Sequence, residues 1–451
     1  MERLTGCRVV LVDDKPEEAQ PIIRSLGLKG VPVAYFKISS EKGDEPPKRP
    51  CPPGVRLAIL DIELGLNLTG DKQRVGYLLQ VLKQIIRQDN GPYMVVLWTK
   101  FTEDKKIFEA DIFREPTLPN PVVTVILDKS KYGNDLAAIS ARLEEELSKV
   151  PSFRILQFWE ESTFNAASEV TNRLTEIVDS KARDLSEWVK DWRAGLPQII
   201  KEMALEEYGE GLTEPGPTLT AFYASLNPVH GDRLEALTSN PAKDLNDGAA
   251  EVLAAGESTD EKRAKINLML HVSTEQLERP WAGNSYLLPD EKDGRPHLPN
   301  KNELIEEFVQ AKKSEKEKWN QDKESVSKVC VPLLVDINPT CDYAQGKVRV
   351  LRLLAGVLVP KENRKLLKQP NEKKIGEFLW KLENLYLSKG LATAGIYDIY
   401  LSARLLYSLS LEEGRKLKPL VRLRTQATVA LQAWFSAHAA RVGLFLLRPP
   451  A

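Results

Sequence analysis

The first 150 residues alternate between short apolar runs and longer stretches of helical periodicity, and this alternation constrains the fold more than any other feature of the chain. Continuous apolar runs of four to six residues are typical of strands buried on both faces of a parallel sheet. The runs cover residues 8–12, 31–36, 57–60, 94–98 and 122–127. Five such strands separated by helices predict a doubly wound α/β domain with a five-stranded parallel sheet.

The intervening helices and the remaining domains follow from the same periodicities. Helices are predicted at residues 17–26, 75–88, 103–113 and 134–149. Beyond them we expect a helical connector, then a mostly helical and irregular region, and finally an α+β module that ends in a basic amphipathic helix at residues 420–441. The predicted boundaries are 1–150, 151–217, 218–328 and 329–451, with a Gly/Pro-rich breaker at 209–217 and one charged helix at 302–328. In the last module, strands are predicted at 329–337, 348–360 and 396–401.

Polar side chains follow the predicted strands of the first domain at the point where each strand ends. Asp13 and Asp14 follow the first strand, Asp61 the third, Thr99 the fourth, and Asp128 with Lys129 the fifth. The carboxyl ends of parallel strands meet at one edge of a sheet, which is where ligands bind in this class of fold. We therefore expect several carboxylates, a hydroxyl and an ammonium group to converge at that edge.

This set of side chains suits phosphoryl transfer to a carboxylate. Clustered carboxylates repel one another and need a cation, and a hard divalent ion such as Mg²⁺ binds a few of them while keeping positions open for phosphate oxygens. One carboxylate can act as the nucleophile and form an aspartyl phosphate. A lysine and a hydroxyl can then stabilise the added phosphoryl oxygens.

The N-terminal 140 or so residues resemble the receiver domain of bacterial two-component response regulators. The resemblance is carried by four segments, LVDDKPEE (11–18), LAILDIEL (57–64), VVLWTK (95–100) and ILDKS (126–130). It implies that Asp13, Asp14 and Asp61 hold Mg²⁺ and that Asp61 accepts the phosphoryl group. Thr99 would be the switch hydroxyl, and Lys129 would contact the phosphoryl group.

The resemblance also implies partners and a setting. A histidine kinase would phosphorylate Asp61, and the protein would relay the signal to a downstream effector or act as a phosphate sink. Receivers with unusual C-terminal modules also occur in bacterial anti-phage phosphorelays, so antiviral defence is a further expectation. Enzymatic activity would be limited to phospho-acceptance and autodephosphorylation by the receiver.

Two other functions stay open at this point. Ser130 stands where receivers usually have a proline, and Ile126 where many have a switch aromatic. These departures fit a pseudo-receiver that acts as a scaffold without phosphoryl chemistry. The third hypothesis is a nucleic-acid-binding regulator, because residues 414–451 carry seven cations and no acidic residue. These cations are Arg415, Lys416, Lys418, Arg422, Arg424, Arg441 and Arg448.

Composition limits the location and the general class. The chain has 451 residues, with 63 Lys and Arg against 64 Asp and Glu, so its whole surface is not built to coat DNA or an anionic membrane. Four cysteines exclude a disulfide scaffold and favour a reducing compartment. No secretion signal and no apolar run long enough to span a bilayer is evident, so we expect a cytoplasmic protein that does not contact the membrane.

Overall fold

The computed structural model describes most of the chain. The described residues are 8–39, 46–47, 50–51, 54–64, 68, 70–132, 135–178, 182–209, 215–239, 245, 249–250, 252–275, 277, 280–288, 298–309, 316–368, 378–388 and 390–439. They form two compact units, of which the first comprises Met1–Thr171 and His230–Ala255, and the second Asn172–Val229 and Gly256–Ala451. No helix among these residues is long and apolar enough to cross a membrane.

The five apolar runs form the predicted parallel sheet. Its strands are β1 (Val9–Asp13), β2 (Ala34–Lys37), β3 (Leu57–Leu60), β4 (Met94–Thr99) and β5 (Val123–Asp128). They lie in the order β2-β1-β3-β4-β5, and every neighbouring pair is parallel. The expected α/β start of the chain is thus confirmed, with β2 beginning three residues later than its apolar run. Its late start leaves Val31 and Val33 to pack beside the core rather than to pair.

Helices cover both faces of this sheet. They are α1 (Pro16–Leu28), α2 (Asp71–Ile85), α3 (Asp104–Arg114), α4 (Lys129–Tyr132) and α5 (Leu136–Ser148). Alternate residues of β1 enter two different cores: Val10 and Val12 pack in the core that includes side chains of α2 and α3, and Leu11 packs with side chains of α1 and α5. This division explains why β1 is apolar from Val9 to Val12, since both faces of this strand are buried.

Three long helices follow, two of them within the stretch 151–208 that the periodicity predicts to be helical, whereas the third begins inside the predicted breaker at 209–217. They are α6 (Pro151–Ile177), α7 (Leu185–Tyr208) and α8 (Pro215–Thr238). Asp184 caps α7 by accepting a hydrogen bond from the backbone of Glu187, and Gly209 ends the helix with a positive φ of 83°. Most of the predicted breaker, residues 210–214, lies outside the described residues.

The second unit contains a seven-stranded sheet in which every pairing is antiparallel. Its strands are β6 (Val272–Ser273), β7 (Asn284–Leu287), β8 (Val331–Asp336), β9 (Val350–Pro360), β10 (Leu379–Leu387), β11 (Gly395–Ser410) and β12 (Pro419–Leu423), in the order β10-β11-β9-β8-β7-β12-β6. Further helices belong to this unit, namely α9 (Asp260–His271), α10 (Lys301–Phe308), α11 (Lys316–Val329), α12 (Thr340–Ala344), α13 (Leu411–Gly414) and α14 (Thr425–Ala439).

Two sequence predictions for this unit are wrong. The charged stretch 302–328 is not one helix, because α10 ends at Phe308 and Val309 forms a β-bridge with Leu367 before α11 begins. The last helix does not begin at residue 420, because Pro419–Leu423 pairs with β7 and β6 as a strand. The backbone groups of this segment are satisfied by sheet partners far away in sequence, which local periodicity does not reveal.

Candidate functional site

Two carboxylates lie side by side at the carboxyl edge of the parallel sheet. Val12 and Leu60 are partners in the register of β1 and β3, so Asp13 and Asp61, the next residues, leave the sheet together. The backbone N–H of Asp61 donates to the carbonyl of Val12 at 2.8 Å, which extends the ladder into the site. Both residues are buried. The expected convergence of these two strand ends is therefore present.

Lys129, the first residue of α4, joins the two carboxylates. Its Nζ lies 3.1 Å from Asp13 Oδ2, 2.9 Å from Asp61 Oδ2 and 2.6 Å from Glu18 Oε2. The lysine side chain is only 7 % exposed, so these contacts are made away from bulk water. We call the group formed by Asp13, Glu18, Asp61 and Lys129 the acidic cluster.

The backbone holds the other oxygens of the two aspartates. The N–H of Lys15 donates to Asp13 Oδ1 at 2.8 Å, and the N–H of Glu63 donates to Asp61 Oδ1 at 3.1 Å. Each carboxylate is therefore fixed at both oxygens, one by the backbone just after its strand and one by Lys129. Such fixed geometry is what a binding or reactive site needs, because no side chain must be ordered when the ligand arrives.

Burial shifts the proton affinities of this cluster. Desolvation raises the pKa of Asp61 to about 7, even though the charge of Lys129 opposes the shift. Desolvation also raises the pKa of Asp13. Partial burial alone would raise the pKa of Glu18, but the hydrogen bond and charge of Lys129 lower it overall. Burial would lower the pKa of Lys129, but Asp61 and Asp13 raise it, so the lysine stays charged.

The donor set of this cluster fits a hard divalent cation. One carboxylate oxygen each from Asp13, Glu18 and Asp61 lies within 4.8 Å of the others, which is close enough for a single ion. Asp14 adds a further indication, because its Oδ1 is buried and has no hydrogen-bond partner among the described residues. A cation at this edge would satisfy that oxygen and relieve the repulsion among the three carboxylates.

Glu18 is the member of the cluster that sequence reasoning missed. It lies in the first turn of α1, which starts at Pro16, and the turn brings its side chain back over the strand ends. The signal in the sequence is an acidic residue in the first turn of the helix that follows Asp13 and Asp14. Glu18 does not directly follow a strand, so the positions of the strand ends do not indicate it.

Thr99 lies at the carboxyl end of β4, as predicted, and is 1 % exposed. Its Oγ1 accepts a hydrogen bond from the backbone N–H of Phe101 at 3.0 Å, which shapes the turn into α3. In the register of β4 and β5 it is the partner of Asp128. Its role as a switch hydroxyl stays a prediction.

A buried arginine links the start of α2, which follows β3, to the start of α3, which follows β4. Arg74, in the first turns of α2, donates through Nη2 to Asp104 Oδ2 at 2.9 Å and to Asp71 at 2.8 Å. Its guanidinium group lies 4.1 Å from the centroid of the Phe101 ring. Asp104 begins α3 and is fully buried. No local pattern in the sequence indicates this bridge, because 30 residues separate Arg74 from Asp104.

A second ionic link lies at the opposite, amino edge of the sheet. Glu160 of α6 accepts hydrogen bonds from Arg8 and Arg56, which directly precede β1 and β3. The start of the helical connector is thus tied to the sheet at the edge away from the acidic cluster.

The basic residues near the C-terminus do not form one helical face. Arg422 lies in β12, and Arg424 lies between β12 and α14, with its Nε donating to the carbonyl of Met269 at 2.8 Å. Arg415 and Lys416 follow α13. Arg441 and Arg448 lie outside the described residues.

Comparison of the chain with protein-family models and with curated proteins finds no match. The geometry of the acidic cluster therefore carries the functional argument.

Proposed function

We propose that the N-terminal unit is a phosphoryl acceptor of the response-regulator type, with Asp61 as the Mg²⁺-dependent acceptor. The supporting observation is the contact of Lys129 with Asp13 and Asp61 at the carboxyl edge of a five-stranded parallel sheet. A structural ion pair at a sheet edge would need one carboxylate for one lysine. Here Asp13, Glu18 and Asp61 all contact the ammonium group of Lys129, and Lys15 is a second cation 3.4 Å from Glu18. The three carboxylates still outnumber these two cations, which leaves negative charge for a metal ion to neutralise.

The roles of the side chains follow from their positions. Asp13, Glu18 and Asp61, with Asp14 beside them, would hold Mg²⁺, which supplies positive charge to the phosphate oxygens. An oxygen of Asp61 attacks the phosphorus of the donor, the new O–P bond forms as the donor's bond to phosphorus breaks, and the leaving group departs with the bonding electrons. Lys129 stays protonated and balances the charge of the acyl phosphate.

The natural donor in this proposal is a phosphohistidine on a partner kinase. The phosphoryl group adds nearly two negative charges beside Asp13 and Glu18, so Lys129 must redistribute its contacts. The bridge between Arg74 and Asp104 connects the two loops next to the acceptor, and it is the element through which such a change would reach α2 and α3.

The test uses the full chain with Mg²⁺ and acetyl phosphate, followed by intact-mass measurement. We expect one phosphoryl adduct that hydroxylamine removes, as an acyl phosphate requires, and we expect no adduct on Asp61→Asn. Asp128→Asn is the matched control, because Asp128 ends β5 at the same edge but lies outside the cluster.

Three results would overturn the proposal. The absence of any adduct with acetyl phosphate and with phosphorylated histidine kinases would favour the pseudo-receiver scaffold. An adduct that persists in Asp61→Asn would place the acceptor elsewhere. Equal labelling with Mg²⁺ and with EDTA would remove the metal from the mechanism.

A further inference from the structure

The second unit contains a cavity that the acidic cluster does not involve. Its volume is about 1130 Å³, slightly larger than is typical of small-molecule sites. Its walls include Trp281 before β7, Arg422 of β12, Arg424, and Thr425 at the start of α14. These residues belong to segments about 140 positions apart in sequence, which the pairing of β7 with β12 brings together.

The cavity wall is cationic. Arg422 and Arg424 both line it, and among the described residues that line it none is acidic. In a chain with 64 acidic residues, an acid-free wall with two guanidinium groups is a local concentration of positive charge. Guanidinium groups bind phosphate by paired N–H donors, which makes them suited to an anionic phosphorylated ligand.

Neutral donors add to these two charges. Helix α14 begins at the cavity wall, and the N–H of Thr428 in its first turn donates to the carbonyl of Arg424 at 2.9 Å. The preceding amides of the first turn have no acceptor within the helix, and the helix dipole is positive at this end. The hydroxyl-bearing residues Thr340 and Thr425 also line the cavity.

Two close contacts hold the wall in place. The carbonyl of Gly283 accepts from the N–H of Leu423 at 2.8 Å, and Gly283 has a positive φ of 79°. A Cβ at Gly283 would collide with the hydroxyl of Thr428 and the carbonyl of Leu423. The segment before β7 therefore packs directly on the start of α14, so the aromatic and cationic parts of the wall are fixed relative to each other.

Trp281 provides a flat apolar surface in the same cavity. Its ring stacks on Tyr343 with centroids 5.5 Å apart and planes 27° from parallel, so the indole is held in one orientation. Phosphate-binding groups and an immobilised aromatic ring in one cavity suit a ligand that carries both phosphate and a planar base.

We propose that the cavity of the second unit binds a nucleotide, with the phosphates at Arg422, Arg424 and the start of α14, and the base against Trp281. This site is independent of the phosphoryl acceptor at Asp61. It gives the second unit a ligand of its own, so the chain would respond to a nucleotide as well as to a phosphoryl donor.

The experiment is calorimetric titration of the full chain in EDTA, so that metal at the acidic cluster does not recruit phosphate. The probes are ATP, GTP, inorganic pyrophosphate and adenosine. We expect binding of at least one nucleotide, weaker binding of pyrophosphate, and the weakest binding of adenosine. Arg424→Gln should weaken nucleotide binding by about tenfold or more, the loss of one charge-assisted hydrogen bond. Trp281→Leu should weaken nucleotide binding and leave pyrophosphate binding unchanged.

Arg415→Gln is the matched control, because it removes an exposed arginine from the same unit without touching the cavity. Arg424 is itself exposed, so its variant should fold, and circular dichroism confirms this before titration. The proposal fails if none of the probes binds at millimolar concentration, or if Arg424→Gln and Arg415→Gln weaken binding equally. It also fails if the chain binds duplex DNA through Arg424 while no nucleotide binds, since the wall would then be a nucleic-acid surface.

Discussion

Lys129 Nζ lies 2.9 Å from Asp61 Oδ2 although 68 residues separate them in the chain. The contact exists because β3 and β5 end at the same edge of the parallel sheet, with β4 between them. It places the ammonium group that also contacts Asp13 and Glu18 against Asp61, whose pKa burial raises to about 7. Lys129 therefore affects both the stability of this edge and the chemistry of Asp61.

Replacing Lys129 should destabilise the first unit in the absence of divalent metal. Lys129→Gln leaves the buried Asp13 and Asp61 without the ammonium group that contacts both, while Lys15 stays 3.4 Å from Glu18. Removing one partner of a buried ionic group costs about 3–5 kcal/mol. We expect a lower urea midpoint in EDTA and partial recovery with Mg²⁺, which would replace the missing charge. Lys131→Gln, an exposed position on the same short helix, should change neither value. Equal midpoints for the two variants in EDTA would contradict the expectation.

The ligand set can be resolved by comparing two neighbouring glutamates. Glu18→Gln should weaken Mg²⁺ affinity by roughly 10- to 100-fold, as expected when a group at a metal site loses its charge. Glu17→Gln should have little effect, because Glu17 is exposed on the same turn and lies outside the cluster. Calorimetric titration of the full-length variants with Mg²⁺ measures the two affinities.

The same titration tests Asp14. If its buried Oδ1 binds the metal, Asp14→Asn should reduce the affinity as strongly as Glu18→Gln does. An unchanged affinity in Asp14→Asn would restrict the ligands to the three residues whose oxygens lie within 4.8 Å of one another.

The bridge between Arg74 and Asp104 should behave as a buried ion pair. Arg74→Ala leaves the carboxylate of Asp104 buried without its partner, and we expect a loss of about 3 kcal/mol in the free energy of unfolding. Adding Asp104→Asn to this variant should restore part of the loss, because the unpaired charge disappears. A double-mutant cycle in urea gives the coupling energy. Arg87→Ala, which breaks an exposed pair with Asp89, is the control and should cost well under 1 kcal/mol. Additive losses would exclude the coupling.

Asp336 should make the second unit less stable as the pH rises towards neutrality. Burial raises its pKa to about 7, although Tyr343 and the N–H of Asn338 donate hydrogen bonds to its carboxylate. The folded state therefore retains a proton that the unfolded state releases near pH 4, so stability is greatest below that pH and declines up to about pH 7.

Asp336→Asn removes this titration while keeping the size of the side chain. The difference in the free energy of unfolding between the wild-type chain and the variant should fall from pH 4 to pH 7 and then level off, with a total change of a few kcal/mol. Thermal unfolding across that pH range measures it. A difference that rises with pH would show that the carboxylate is stabilised in its charged form.

The sequence by itself determined the first sheet and most of its edge. Runs such as 94–98 are apolar at every position, which is typical of a strand that is buried on both faces. Once parallel strands are inferred, the residues that follow them must meet at one edge of the sheet. The proximity of Asp13, Asp61 and Lys129 could therefore be predicted from the sequence.

Tertiary structure alone decided the rest. Glu18 joins the cluster through the turn of α1 over the strand ends, and Arg74 meets Asp104 through the packing of α2 beside α3. In the second unit, Pro419–Leu423 is a strand because β7 and β6 lie beside it, and Trp281 shares a cavity wall with Arg424 for the same reason. Local periodicity records which face of a segment is buried, but the partner that buries it is chosen by contacts between residues far apart in the chain.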